Sequence, residues 1–330
     1  SYNSFTLLFF AAIAFAFLML GGDWLSDGLS NLALGLKYEP LFVGLVLTTL
    51  LGIVPQTVFI ITLSQMGYKE TALGGLLGGC WVSVLIPIGY AGMNYSIPFR
   101  ERWVQWDLPL FVTYLIVFTF FCLDGGLTRS EGIGLIILGV SYLFFRYQFG
   151  RESRYGLTAF GGSFAFGVST FATLYRVIMG ICMMLAAAVV LSYILGFWIT
   201  QNKLPGVPTG LMAMLPFCLP ELAFAFASIK RGHGEVIIGQ GLGMATLVLL
   251  VGGGLLGFLG LPIEPDSVNF AHLSLILTSV LLWGFLRFSG RLWRWQASLI
   301  FILSIAALGV SWAQSYGHLL FLQLPQGFEL

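Results

Sequence analysis

The chain has 330 residues, of which 58% are apolar and only 9% are charged, and its mean hydropathy is +0.93. A soluble domain carries about a quarter charged residues, so this composition excludes a water-soluble protein. A formal net charge of +1 offers no electrostatic basis for binding nucleic acid. The sequence therefore predicts an all-α integral membrane protein whose main partner is the lipid bilayer.

Ten apolar segments follow one another along the chain, separated by short connectors that hold most of the charges. They cover residues 5–34, 41–65, 71–97, 108–123, 131–147, 172–200, 206–228, 236–262, 268–286 and 296–314. A helix needs about 20 apolar residues to cross the hydrocarbon core, so we predict about ten transmembrane helices. The first segment lacks a basic start and a small-residue cleavage site, which favours a true span over a signal peptide.

The connectors differ in charge between the two sides of the membrane. Numbering them alternately puts twelve of the fifteen Lys and Arg residues on one side and only Lys69, Arg129 and Lys203 on the other. The positive-inside rule then predicts that both termini are extracytoplasmic. It also predicts that the central loop, from Arg146 to Arg176, is cytoplasmic.

The sequence repeats itself at an offset of 165 residues. The offset superimposes Pro55 on Pro220, Gln56 on Glu221, Gly74 on Gly239 and Gly78 on Gly243. Because five spans separate equivalent elements, the halves must be inverted in the membrane, as in many secondary transporters. We expect a first five-helix repeat at 1–150, a connector at 151–170 and a second repeat at 171–330.

Proline and glycine mark the helices that we expect to form a site. Pro55 and Pro220 lie mid-span, where each frees a backbone carbonyl that must find a partner in the protein or in a polar cavity. Gly74 to Gly78 and Gly239 to Gly243 are spacings that allow helix backbones to approach closely. We predict helix breaks at the two prolines and helix packing at the four glycines.

These segments resemble the calcium/cation antiporter superfamily, which includes the membrane domain of the sodium/calcium exchanger. The stretches that carry the resemblance are GGDWLSDGLSNLALGLKYEPLFVGLVLTTLLGIVPQ, residues 21–56, and LPELAFAFASIKRGHGEVIIGQGLG, residues 219–243. The resemblance covers the whole ten-span layout. It implies an inverted-repeat fold and cation antiport by alternating access.

The ligand motifs depart from the family pattern. Where the family has Gly-Thr-Ser-x-Pro-Glu, this chain has LGIVPQ and PFCLPE, so Glu221 alone keeps the carboxylate. The Gly-Ser-Asn motifs have become GGCWVS, residues 78–83, and GMATLV, residues 243–248. The resemblance implies an ion-binding site at Glu221, Gln56, Ser83 and Cys80.

One carboxylate cannot neutralise a divalent cation inside a membrane, and calcium takes six to eight oxygen ligands. We therefore expect Na⁺ or H⁺ rather than Ca²⁺ as the transported ion, with no cofactor and no resident metal. Cys80, Cys122, Cys182 and Cys218 stand singly, as small buried hydrophobes do. The sequence contains no nucleophile–base pair, so we do not predict an enzyme.

Two hypotheses stay open. The first is a cation antiporter centred on a midplane Glu/Gln pair. The second is a transport-inactive relative that serves as a structural or regulatory subunit beside other membrane subunits.

Overall fold

The computed structural model describes residues 4–35, 48–98, 102–150, 170–217, 234–262 and 265–323, and these ranges are almost entirely helical. Cys218, Pro220 and Glu221 lie outside the described residues. So does the connector from residue 151 to residue 169. Within the described ranges, seven helices are long and apolar enough to cross a membrane. The chain is thus a multi-pass membrane protein.

The helices of the first part are α1 (Ser4–Gly35), α2 (Thr48–Gln65), α3 (Lys69–Cys80), α4 (Ile86–Asn94), α5 (Arg102–Leu123) and α6 (Arg129–Gly150). Those of the second part are α7 (Thr170–Asn202), α8 (Gly206–Ala213), α9 (Gly234–Leu247), α10 (Gly253–Leu259), α11 (Pro265–Ser289) and α12 (Arg294–Gln323). A π-helical turn, Trp81–Leu85, joins α3 to α4, and a second, Val248–Gly252, joins α9 to α10.

Two-residue strands close the ends of the bundle. β1 (Ile97–Pro98) pairs antiparallel with β4 (Arg291–Leu292), with Ile97 opposite Leu292. β2 (Gly126–Leu127) pairs antiparallel with β3 (Leu261–Pro262), with Leu127 opposite Leu261. Each pair joins a turn of the first part to a turn of the second, so the two parts are hydrogen-bonded as well as packed.

The core of the bundle is the helix that runs from Lys69 to Asn94. Its membrane-spanning window is entirely buried, whereas α1, α5, α11 and α12 are buried over less than half of theirs. A helix that is apolar all round and buried all round must be surrounded by other helices. The side chains of that window therefore face protein rather than lipid.

Glycine allows α3 and α8 to touch backbone to backbone. A methyl group at Gly74 would collide with the carbonyl oxygen of Val207, and one at Gly78 would lie 2.9 Å from that of Leu211. Gly210 of α8 meets α3 in return, because a methyl group there would collide with the Thr71 oxygen. Residues of the second part thus fill the notches left by glycines of the first.

Several contacts recur at the offset of the sequence repeat. α6 begins at Arg129 and α12 begins at Arg294, which is 165 residues later. A methyl group on Gly89 would lie 2.9 Å from Phe301 Cβ, and one on Gly254 would lie 2.6 Å from Ile136 Cγ1. Gly254 is the repeat counterpart of Gly89, and Ile136 is the counterpart of Phe301, so the two contacts are equivalent. The Cys80 thiol lies 3.6 Å from the carbonyl oxygen of Ala245, its own counterpart in the repeat.

The structure corrects three sequence-based expectations. Arg146 does not belong to the central loop, because α6 continues to Gly150 and the Arg146 side chain is buried. Arg176, at the other end of the predicted loop, lies inside α7. Cys182 is exposed, although Cys80 and Cys122 are buried as expected. The burial of a side chain depends on the helices that pack around it. Hydropathy along the chain does not show which helices these are.

The close approach of α3 and α8 makes Gly74→Ala a sharp test of the packing. We expect the substitution to lower the free energy of unfolding by about 1–3 kcal/mol, because the methyl group overpacks a backbone contact. Gly134→Ala in α6 is the matched control, since a methyl group there meets nothing within 4 Å. Thermal unfolding of both variants in detergent measures the difference, and equal melting temperatures would contradict the packing.

Candidate functional site

The side chain of Gln56 lies at the meeting point of four elements. Gln56 in α2 is 1% exposed, and a methyl group on Gly79 of α3 would lie 3.3 Å from its Oε1. The same methyl group would lie 2.9 Å from Val248 Cγ1 and 3.4 Å from Met214 Cε. Within the described part of the chain, Gln56 Oε1 has no hydrogen-bond partner. A buried carbonyl without a partner is rare and indicates a place where a ligand, a water or another side chain belongs.

The second π-helical turn contacts this point through Val248, and the first follows α3 directly in the chain. Ser83 lies in the first turn and is buried, and its hydroxyl finds no partner among the residues that the structure describes. Val248 begins the second turn and is also buried. A π-helical turn leaves backbone groups out of the regular ladder and often occurs at functional sites. No hydrophobic periodicity in the sequence predicts either turn.

The predicted site residues divide into three groups. Pro55 and Gln56 lie buried within α2, with Gly79 and Cys80 of α3 facing the second part. Ser83 is buried one helical turn beyond Cys80. Glu221 and Pro220 lie outside the described residues, so the carboxylate predicted to face Gln56 stays a prediction.

The four predicted packing glycines play two different parts. Gly74 and Gly78 contact the backbone of α8. The carbonyl of Gly239 instead accepts a hydrogen bond of 2.9 Å from Arg146 Nη2. A methyl group at Gly243 would collide with Arg146 Nη1 and lie 3.1 Å from Thr49 Cγ2. Gly243 thus leaves space for a guanidinium group, and Gly239 offers that group a hydrogen-bond acceptor.

Asp107 and Arg146 form a buried ion pair that the sequence analysis missed. Their side chains are 1% and 2% exposed, and Arg146 Nη2 lies 3.8 Å from Asp107 Oδ2. The Tyr142 hydroxyl donates a 2.6 Å hydrogen bond to Asp107 Oδ1. Asp107 stands immediately before one predicted span, and Arg146 stands in the last turn of another. The spacing of Tyr142 and Arg146, one helical turn apart, was the available signal.

A second ion pair joins the two longest helices of the described chain. Arg176 Nη1 of α7 lies 3.9 Å from Asp27 Oδ2 of α1, and both side chains are less than half exposed. Gly21 and Gly180 bring these helices together, since a methyl group on either would lie 2.8 Å from the carbonyl oxygen of the other. Outside the gaps, the described residues contain no group of three His, Cys, Asp or Glu side chains that could hold a metal ion.

The sequence pattern of the sodium/calcium exchanger protein family matches residues 6–148 and 172–313. The chain belongs to this family. Its members are transporters and not enzymes, so exchanger membership establishes a cation-transport fold in a multi-pass membrane protein. The two matched segments leave out the residues between 148 and 172, where the sequence analysis placed the connector.

Individual relatives in the exchanger family are distant. The putative antiporter CaxA of Alkalimonas amylolytica is 22% identical over 71% of this chain and 75% of its own length. The inner membrane protein YrbG of Escherichia coli is 25% identical over 70% of this chain and 71% of its own length. A solved structure of the sodium-calcium exchanger NCX_Mj superposes with a TM-score of 0.67 at 20% identity, over 93% of this chain and 99% of that one.

The burial of Gln56 predicts an unusual response to Gln56→Leu. In the absence of cations, we expect this change to raise the free energy of unfolding by about 1 kcal/mol, because it removes a buried carbonyl that lacks a partner. Gln296→Leu is the matched control, since both ends of the buried Gln296 amide are hydrogen-bonded, to Trp293 N and Ser289 Oγ at 3.0 Å each. It should lower stability.

Thermal unfolding in detergent, without alkali cations, compares the two variants. Destabilisation by Gln56→Leu equal to that by Gln296→Leu would contradict the interpretation. Such a result would mean that the carbonyl oxygen of Gln56 is hydrogen-bonded in the folded protein.

Proposed function

We propose that this chain is a cation antiporter that works by alternating access around Gln56 and Glu221. Family membership supports cation antiport. The observation that carries the proposal is Gln56 Oε1, a buried acceptor without a hydrogen-bond partner in the described chain. It lies where α2, α3, Met214 and the second π-helical turn converge. Ser83, four residues after Gly79, contributes a second buried oxygen without a partner among the described residues.

The transported ion is Na⁺ or H⁺ rather than Ca²⁺. Glu221 supplies one formal charge opposite the neutral amide of Gln56, and Val248 supplies none where the family motif has a polar residue. Calcium requires six to eight oxygens and more compensating charge than this set offers. A single carboxylate can neutralise a sodium ion or bind a proton. In either case the low-dielectric interior carries no excess charge.

Alternating access rests on two inverted five-helix halves, residues 1–150 and 171–330, with the connector in the cytoplasm and both termini outside. The recurrence of the Gly89–Phe301 contact as Gly254–Ile136 supports this arrangement, and the contact of Cys80 with its counterpart Ala245 supports it further. Two parts related by a two-fold axis can exchange their conformations, which opens the site to each side in turn.

The α1–α7 pair is the element that moves. These two helices pack mainly on each other, and α7 reaches the rest of the described bundle chiefly through α2. Ser192 of α7 donates a hydrogen bond of 3.2 Å to the carbonyl oxygen of Phe59 in α2. A unit with one main contact can slide past the site with little disruption of the core.

One observation favours the second candidate function, a transport-inactive subunit. The rings of Phe59 and Phe217 lie 5.3 Å apart, and Val248 is packed against the same notch as Gln56. Apolar groups at these positions reduce the space for hydrated ions. A chain that binds no cation and copurifies with other membrane subunits would fit this candidate.

Ion flux in proteoliposomes tests the proposal. We expect the wild type to exchange Na⁺ or H⁺ across the bilayer, and Glu221→Gln to lose at least tenfold in rate, an estimate based on its being the only charged ligand. Asp124→Asn is the matched control, since it makes the same carboxylate-to-amide change at an exposed position. No flux from the wild type with any alkali or alkaline-earth cation would overturn the proposal in favour of the subunit.

A further inference from the structure

The buried pair of Asp107 and Arg146 takes no part in the site described above, yet it places two full charges inside the helical bundle. Both side chains are at most 2% exposed. Burying such charges costs free energy even when they are paired. The Asp107 carboxylate is held by the Tyr142 hydroxyl at 2.6 Å and by Arg146 at 3.8 Å.

Arg146 reaches from α6 to the helices that carry the site. Its Nη2 donates to the Gly239 carbonyl of α9, and its Nη1 occupies the notch that Gly243 leaves by having no side chain. Thr49 of α2 lines the same notch. The guanidinium group therefore packs between α2 and α9. Any residue other than glycine at position 243 would displace it.

The contact between α2 and α9 continues from this notch to Gln56. A methyl group on Gly52, three residues after Thr49, would lie 2.7 Å from Cε of Met244, the residue that follows Gly243. Gln56 and Val248 follow one turn later beside Gly79. Thr49 and Gln56 are seven residues apart, which corresponds to about 10 Å along an α-helix. The positive charge of Arg146 thus acts on the site at short range.

Only one half of the repeat carries this charge pair. At the offset of 165 residues, Asp107 corresponds to His272 and Arg146 corresponds to Ser311. The notch at Gly78, which corresponds to Gly243, is filled by the backbone of Leu211 instead. Packing of the fold therefore does not require an arginine in the notch, and the charge has another use.

We propose that Arg146 is a specificity-determining residue that sets the net charge of the ion site. It cancels the charge of Asp107, so that this pair adds no second negative charge to the Glu221 carboxylate that the proposed function assigns to the ion. A net charge of one favours a monovalent cation over a divalent one, because a divalent ion would stay half neutralised. This role of Arg146 rests on the proposed function, since it explains why the proposed ion site would prefer a monovalent cation.

Removal of the arginine tests the proposal in proteoliposomes. Arg146→Gln removes the cation that offsets Asp107, so at alkaline pH, where the Asp107 carboxyl is ionised, the ratio of Ca²⁺ to Na⁺ flux should rise about tenfold. This is the order of magnitude for one added charge at about 10 Å, the length of α2 between Thr49 and Gln56, at an effective dielectric constant near 20. Arg146→Lys keeps the charge and should keep the wild-type ratio. The matched control is Arg176→Gln, which breaks the partly exposed pair with Asp27 and should leave the ratio unchanged.

A second arm covers the case in which Arg146→Gln does not fold, since losing one partner of a buried ion pair is strongly destabilising. Asp107→Asn has nearly the same shape, keeps an acceptor for Tyr142 and leaves Arg146 uncompensated. Half-maximal Na⁺ flux should then require about tenfold more Na⁺. The double variant D107N/R146Q removes both charges and should restore the wild-type value.

The outcomes separate this inference from the proposed function. A wild type without flux would overturn the proposed function, and this inference with it. Wild-type flux combined with an unchanged Na⁺ requirement in D107N, or with equal Ca²⁺ to Na⁺ ratios in R146Q and the wild type, would overturn the inference alone. A double variant as impaired as D107N would show that the pair acts through packing rather than charge.

Discussion

The close approach of helix backbones at glycine is the constraint on which the rest of this structure depends. Lipid is as apolar as leucine, so helices in a bilayer gain little by burying apolar side chains, and they must associate through close packing. Here α3 touches α8 at Gly74 and Gly210, and Gly132 of α6 lies against the carbonyl oxygen of Gly254. These contacts bring the two parts of the chain close enough for Gln56 and Val248 to share one notch.

The same packing decides where charge can be held inside the bundle. Arg146 is buried because Gly243 leaves space for its guanidinium group and Gly239 offers a carbonyl oxygen at 2.9 Å. Asp107 is buried because Tyr142 and Arg146 approach it from the neighbouring helix. Glycine thus has two roles in the helices of this chain. In one place it allows helix backbones to touch, and in another it leaves space for the guanidinium group of Arg146.

Composition and hydropathy predicted the membrane class, and the helices follow the predicted segments closely where the structure describes both. The resemblance in the motifs predicted the family. Sequence reasoning could not find the buried ion pair, because Asp107 and Arg146 stand near span ends, where a charge ordinarily faces water. Their partners lie 35 residues away, in Tyr142, and 93 residues away, in Gly239. Local patterns contain no record of such contacts, nor of the π-helical turns at Ser83 and Val248.

The repeat offers a physical reason for the asymmetry of the site. In the proposed antiporter, two copies of one unit would begin with identical ligands, and a change in either copy would alter the charge around the bound ion. In this chain the first copy holds Gln56 and Ser83, whereas the second holds Glu221 and Val248. Uncompensated buried charge is costly, so fewer carboxylates at the axis favour a cation of lower charge. In the antiporter proposed above, Arg146 would act in the same direction from α6, because it offsets the charge of Asp107 without removing a ligand.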